Sequence, residues 1–228
     1  MQNFKLTVIV PVFNEEKTIE EIINRIHAVD IPKEIIVIDD CSNDSTAQVL
    51  KKISDKVDKI IRHERNMGKG AAIRTGVQFA SGNAVVIQDA DLEYNPQDFH
   101  KLLKPFLDGS ADVVYGSRVR AETQKRLTIH HLANRFLTFL SNLLSGLKIT
   151  DMETCYKLFR TNLIKGITIE QNRFGFEPEI TAKIAKIPGC RIQEVDISYS
   201  GRTYHEGKKI TWRDGINAIK CIIKYSRK

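Results

Sequence analysis

Leu6-Thr7-Val8-Ile9-Val10-Pro11-Val12-Phe13 is a β-branched apolar run, and after Asn14-Glu15-Glu16 come Ile19, Ile22, Ile23 and Ile26 at i, i+3, i+4 and i+7. The run has the length and composition of a buried strand, and the isoleucine spacing marks one face of a helix. Asn14 is placed to cap that helix. The unit then recurs. Residues 34–40 (EIIVIDD) read as a strand and 42–53 as a helix, Lys59–Arg62 as a short strand and 70–80 as a helix. Residues 84–88 read as a strand, 96–107 as a helix and 112–115 as another strand. This alternation predicts an α/β fold, a mostly parallel sheet covered on both faces. Ligands of such sheets bind outside the carboxyl ends of the strands. Asn14-Glu15, Asp39-Asp40, Asp89-Asp91 and Ser117-Arg118 all fall at those ends, so four polar clusters are expected on one edge.

After residue 120 the texture changes. Residues 131–147 carry Leu132, Phe136, Phe139, Leu140, Leu143, Leu144 and Leu147 on one broad helical face, with Asn134, Arg135, Thr138, Asn142 and Ser145 on the other. Such a helix either covers the sheet with its apolar face or lies on a membrane surface. A further helix is expected over 176–187, beginning at Pro178, and a strand over 191–198. Thr211 can cap a last helix with Trp212, Ile216, Ile219 and Ile223 on one stripe. No repeat or linker interrupts the chain, so residues 1–228 are expected to form one domain.

Composition narrows the class. Of 228 residues, 42% are hydrophobic and 28% charged, ordinary values for a globular protein. No apolar run reaches the length of a membrane-spanning helix, and residues 6–13 are too short for a signal peptide, so neither spanning nor export is expected. Cys41, Cys155, Cys190 and Cys221 lie far apart, which fits reduced thiols rather than a zinc site or a disulfide scaffold. The formal charge is +7, and residues 201–228 hold eight Lys or Arg against Glu206 and Asp214. That local excess suits an anionic partner, or it is a solvated basic tail. No nucleic-acid recognition module is present in it, so nucleic acid is not an expected partner.

Gln88-Asp89-Ala90-Asp91-Leu92-Glu93-Tyr94 follows the strand Ala84–Ile87. Two carboxylates at i and i+2 past a strand end can turn toward one ligand, and Mg²⁺ is typically held by one or two carboxylates together with substrate phosphates. The competing reading is a solvated turn.

From residue 7 to about 210 the chain carries, in order, Val8-Ile9-Val10-Pro11-Val12-Phe13-Asn14-Glu15-Glu16, Asp39-Asp40, Asn66-Met67-Gly68-Lys69-Gly70, Asp89-Ala90-Asp91, Gly116-Ser117-Arg118 and Gly201-Arg202. In this order and spacing it resembles glycosyltransferase family 2, in the polyprenyl-phosphate branch typified by dolichyl-phosphate mannose synthase. The resemblance implies the glycosyltransferase A fold, with a Rossmann-like sheet and amphipathic helices in the C-terminal half. It also implies a nucleotide-sugar donor and inversion at the sugar carbon. The nucleotide-binding half would be about 1–120 and the acceptor-binding half about 121–228.

Roles follow from the resemblance and from chemistry. Pro11 and Phe13 offer a flat contact to the base, and Glu15 and Asp40 are placed to accept from base or ribose. Glu15 is alternatively a first-turn carboxylate favoured by the helix dipole, and Asp39 can orient its neighbour. Gly68-Lys69-Gly70 opens a helix, where glycines admit close backbone approach and free N–H groups favour anions, or it is a plain turn. Asp89-Ala90-Asp91 would bind the donor, Asp89 and Asp91 holding Mg²⁺ or Mn²⁺. Glu93 is either a third ligand or solvent-facing. Arg202 and Lys208 would close on the donor diphosphate. Arg118 and Arg135 match positions this branch uses for the acceptor phosphate, Arg135 being equally a surface charge. A lipid phosphate, with a second pKa near ~6, is largely dianionic at neutral pH and needs no protein base. Planar guanidinium groups suit the task of holding two anions together.

The expected activity is metal-dependent, inverting transfer of a hexose, mannose or glucose, from a GDP- or UDP-sugar to a polyprenyl (dolichyl or undecaprenyl) phosphate. The expected place is the cytosolic membrane face, reached through the amphipathic helix, the basic C-terminal helix or a small membrane anchor protein. The alternative is transfer to a hydroxyl of a saccharide, lipid or protein, with Asp151 or Glu153 as base. Glu177 and Glu179 open a helix and can simply satisfy its dipole, or Glu177 can bond the sugar.

Overall fold

The computed structural model describes residues 4–119, 129–202 and 212–226. The first half is built as the alternation predicts: β1 (Leu6–Val12), α1 (Ile19–His27), β2 (Lys33–Asp39), α2 (Thr46–Lys52), β3 (Lys59–Arg62), α3 (Lys69–Phe79), β4 (Ala84–Ile87), α4 (Phe99–Leu107) and β5 (Val113–Ser117). The second half adds α5 (Ile129–Ser145), β6 (Lys157–Arg160), α6 (Thr161–Lys165), α7 (Phe176–Ala185), β7 (Ile192–Asp196) and α8 (Trp212–Ser226).

Among the described residues these strands form one seven-stranded sheet in the order β3-β2-β1-β4-β6-β5-β7. β1, β2, β3 and β4 run parallel, β6 is antiparallel to both β4 and β5, and β7 is parallel to β5. β5 therefore runs with β4, and the C-terminal ends of β1, β2, β4 and β5 share one edge. Pro11 fits inside β1 because the ladder to β4 stops at Ile9↔Ile87. On the β4 side its missing N–H costs no pair. All four isoleucines of α1 are buried.

Four local expectations are corrected. Asn14 does not cap α1, whose N-cap is Thr18; Asn14 sits at φ 52 in the turn after β1 and accepts from the Asn43 N–H instead. β6 was not expected at all. The last helix buries Ala218, Cys221, Ile222 and Tyr225, while Ile216 and Ile223 of the expected stripe are exposed. Thr211 lies outside the described residues.

The fourth correction concerns α5, which is mounted with its polar face inward. Leu132, Phe136, Phe139 and Leu143 are between 54% and 68% exposed, whereas Thr138 and Ser141 are buried beside Leu137. The inward polar groups are bonded to the segment before β6. Asn134 Nδ2 donates to Asp151 Oδ1 (3.0 Å), the Met152 N–H to Thr138 Oγ1 (3.1 Å) and Asn142 Nδ2 to the Ile149 carbonyl (2.7 Å). Satisfied hydrogen bonds remove the cost of burying those groups, so the apolar stripe is left outside. Among the described residues no helix is long and apolar enough to cross a membrane.

Candidate active site

Three non-glycine residues with positive φ, Asn14 (52°), Cys41 (61°) and Leu92 (64°), follow β1, β2 and β4 at the common edge. Left-handed backbone is costly for a branched residue such as leucine and tends to persist at functional sites. At Leu92 it turns the chain so that Asp91 and Glu93 both face the end of the sheet.

Cationic side chains sit on the acidic pair. Lys69 Nζ lies 2.9 Å from Asp89 Oδ1 and 3.1 Å from Glu177 Oε1. Arg202 Nη2 lies 3.1 Å from both Asp91 Oδ2 and Glu15 Oε1, so it ties the ends of β1 and β4 together. Asp91 is pushed up to about 7, first by burial and then by the charges of Asp89 and Glu93, with Arg202 pulling the other way. Burial works against the Lys69 charge, but Asp89 and Glu177 hold its pKa well above the ordinary lysine value.

Glu93 is spent on its own chain. Tyr199 Oη donates to Oε2 (2.8 Å) and the Arg202 N–H to Oε1 (2.6 Å). Glu93, read as either a third metal ligand or solvent-facing, here clamps the segment that delivers Arg202. Among the described residues no three His, Cys, Asp or Glu side chains cluster around a metal position.

Asp40 is likewise occupied. Its Oδ1 accepts from the Met67 N–H (2.8 Å) and bonds His63 Nδ1 (2.7 Å), while Oδ2 accepts from the Gly68 N–H (2.6 Å). It fixes the loop that carries Lys69, a role that the reading of Asp40 as a base or ribose acceptor did not include. Its neighbour is the more available group: Asp39 Oδ2 is buried with no hydrogen-bond partner, 3.4 Å from Arg62 Nη1.

The Gly68 and Gly70 expectation is also corrected. A Cβ on Gly68 would stand 2.4 Å from the Asn172 carbonyl oxygen, and one on Gly70 2.2 Å from that of Gln171. The Ala71 N–H donates to Asn172 O (3.0 Å). These glycines admit the 171–173 backbone, and the helix N-terminus is partly used by it rather than held open for an anion.

Arg118 and Asp151 form a bidentate pair, Nε to Oδ2 and Nη2 to Oδ1, both 2.7 Å, with the Arg118 N–H also donating to Oδ2. Asp151 is fully buried. Burial alone would raise its pKa, but Arg118 and Asn134 hold it below the usual carboxylate range, and both its oxygens are engaged by them. The Arg118 guanidinium stacks over the Tyr199 ring at 5.1 Å, which joins it to Glu93. Arg135 is exposed on α5, next to Asn134. Pro11 and Phe13 are half-buried at the end of β1 and Ala90 is buried. Lys208 lies outside the described residues.

Glu15, Asp91, Glu93 and Arg202 thus form one contact set and Lys69, Asp89 and Glu177 another, the two joined by the Asp89-Ala90-Asp91 turn, with Arg118 reached through Tyr199 and Asp40 through the Gly68-Lys69 loop. A sheet edge of this kind, with an acidic pair after β4 and basic groups arriving from later segments, is the glycosyltransferase A architecture. Glucosyl-3-phosphoglycerate synthase from Mycobacterium tuberculosis, solved with Mn²⁺, UDP and phosphoglyceric acid, superposes with a TM-score of 0.75 at 20% identity, covering 98% of this chain and 79% of that one. Residues 7–168 match the Glycosyl transferase family 2 model, and the chain belongs to that family of glycosyltransferases. It is 29% identical over 212 residues to the UDP-N-acetylglucosamine–dolichyl-phosphate N-acetylglucosaminyltransferase of Methanococcus voltae, covering 83% of each chain. It is 26% identical over 215 residues to the dodecaprenyl-phosphate galacturonate synthase of Rhizobium johnstonii, covering 91% of this chain and 62% of that one.

Proposed function

We propose that this glycosyltransferase moves a hexose from a GDP- or UDP-sugar to a polyprenyl phosphate, working as a peripheral protein on the cytosolic face of a membrane. One observation carries the lipid half of this reading. The outward stripe of α5 and the inward Asn134 belong to one helix, and Asn134 bonds the Asp151 that holds Arg118. An apolar surface and a phosphate-binding type of residue are thereby linked through Asn134 and Asp151, with Arg135 exposed beside them. The lipid occupies the outer face while its headgroup approaches Arg118, and the basic α8 residues Lys220 and Lys224 suit an anionic leaflet.

The donor half rests on the acidic pair. Asp89 and Asp91 would hold Mg²⁺ or Mn²⁺, and their donor set fits: hard oxygens, mutually repelling and neutralised at present by Lys69 and Arg202. Bound there, the ion supplies charge neutralisation on the leaving nucleotide. Arg202, released from Glu15 and Asp91, is free to turn to the diphosphate. Arg118, held by Asp151 through Nε and Nη2, would meet the acceptor anion. A dianionic phosphate attacks without a protein base.

A second reading keeps a hydroxyl acceptor. Asp151 is engaged with Arg118 and Asn134, so Glu153 is the base in this reading: burial, then the Glu177 charge, push it up to about 8. Transfer of radiolabel from GDP-mannose or UDP-glucose to synthetic polyprenyl phosphate, with Mn²⁺ present and absent, is expected to succeed where saccharide and lipid hydroxyl acceptors fail. Labelled product on hydroxyl acceptors alone would favour the second reading.

A further inference from the structure

Arg118 and Asp151 each follow a hydroxyl residue, and those two hydroxyls meet: Ser117 Oγ and Thr150 Oγ1 are 2.7 Å apart. The ion pair thus has a second rung, one residue back on each chain. Glu194 of β7 closes it. The Thr150 N–H donates to Glu194 Oε2 (2.7 Å), while the Asp151 N–H (3.2 Å) and Thr150 Oγ1 (3.3 Å) donate to Oε1. Tyr115 pairs with Glu194 in the parallel β5–β7 ladder, so the pleat puts Ser117, two residues on, and Glu194 on one face of the sheet.

β7 is an edge strand of the described sheet, and charge on an edge ordinarily keeps other chains from pairing there. Glu194 is engaged differently, because two successive N–H groups converging on one anion fix the peptide that carries them. Water would satisfy the Thr150 N–H in its place, since that residue is exposed. The carboxylate therefore supplies direction and not merely a partner. It sets the start of the Asp151 segment, and both Asp151 oxygens in turn hold the Arg118 guanidinium. Ser117, Thr150 and Glu194 line an open cavity with Lys101 and Lys104, so shortening Glu194 leaves no void in the core.

We propose that Glu194 is a positioning residue for the acceptor: it places the Asp151 carboxylate, and through it the angle at which Arg118 meets the acceptor phosphate. This rests on the acceptor reading of Arg118 and adds to it a residue that never touches substrate.

The test is calorimetric titration of the full chain, in Mn²⁺, with a short-chain polyprenyl phosphate and, separately, with GDP and UDP. Glu194→Gln, which keeps the length and loses the charge, should weaken polyprenyl phosphate binding by about 10-fold, the worth of a hydrogen bond to a charged group. Glu194→Ala should weaken it further, and nucleoside diphosphate affinity should hold in both. In an Arg118→Lys background, where the fork to Asp151 is lost, the Glu194→Gln loss should shrink, since residues acting through one route do not add. Full additivity overturns the proposal. So does equal loss of both ligands, or a Glu194→Gln chain that no longer folds, since Glu194 is then a part of the scaffold. A wild-type chain that binds GDP or UDP but not polyprenyl phosphate overturns the acceptor reading of Arg118 itself. A wild-type chain that binds both, with variants that match it, overturns the positioning role alone.

Discussion

Asp91 shows how far a single side chain can report on a site. With its folded pKa near 7 against an ordinary 3.8, the folded chain keeps a proton there that the unfolded chain releases between those values. This residue's contribution to stability is therefore present at low pH and lost as pH rises through about 7. A metal needs the deprotonated form, so Mn²⁺ affinity measured by calorimetry is expected to climb with pH up to about 7 and flatten above it. Asp91→Asn should abolish the binding and the pH dependence together, and an affinity flat across that range would remove Asp91 from the ligand set. Asp151 makes the contrasting case. Asp151→Asn leaves Arg118 buried without its counter-charge, and about 3–5 kcal/mol of stability should be lost in urea unfolding. A catalytic base would instead lose turnover with its stability intact.

The helices and strands show where reading a sequence stops. Periodicity located α1, α3 and β1 to β5 within a few residues, because isoleucine spacing and β-branched runs carry their own geometry. It also located α5, but an amphipathic stripe says only that two faces differ. Which face turns inward was decided by Asp151, Ile149 and Met152, whose bonds to Asn134, Asn142 and Thr138 no local pattern displays. β6 was missed because Lys157-Leu158-Phe159-Arg160 begins and ends on a charged residue with no β-branched run, and its neighbours read as a carboxylate motif. In the site, spacing pointed to Asp89 and Asp91 and the family resemblance to Arg202, and the structure places Arg202 on Asp91. The partners of Asp40 and Glu93 were not legible, since they are groups distant in sequence: the Met67 and Gly68 amides and His63 for one, Tyr199 and the Arg202 amide for the other. The inverted helix makes its own prediction. Thr138→Val leaves the buried Met152 N–H unpaired and should cost about 1–3 kcal/mol. Phe136→Ser with Phe139→Ser should change stability by no more than about 0.5 kcal/mol each yet reduce sedimentation with anionic vesicles. Undiminished sedimentation would detach α5 from the membrane.

The molecule as a whole divides its sheet into two unlike edges. At the N-terminal ends of the strands, Glu34 accepts from Thr7 Oγ1, Lys5 Nζ, and the N–H groups of Ser81 and Gly82, closing β1, β2 and the approach to β4 in one network. Burial raises its pKa, but these donors prevail and hold it at about 2. Its stabilisation is therefore complete above the unfolded value of 4.5 and is lost as pH falls through about 2. Glu34→Gln is expected to cost about 1–3 kcal/mol in chemical unfolding while donor affinity stays unchanged. Site variants should do the reverse, and a Glu34 variant that weakened donor binding would break this division of labour.

The single antiparallel strand also governs how the protein must be made. β4 and β5 are translated well before β6, yet neither can pair with the other, because β6 belongs between them. Until residues 157–160 leave the ribosome, the nascent chain displays unpaired strand borders on both β4 and β5, which is the period when chaperone capture or mispairing with a neighbouring polypeptide has its opening.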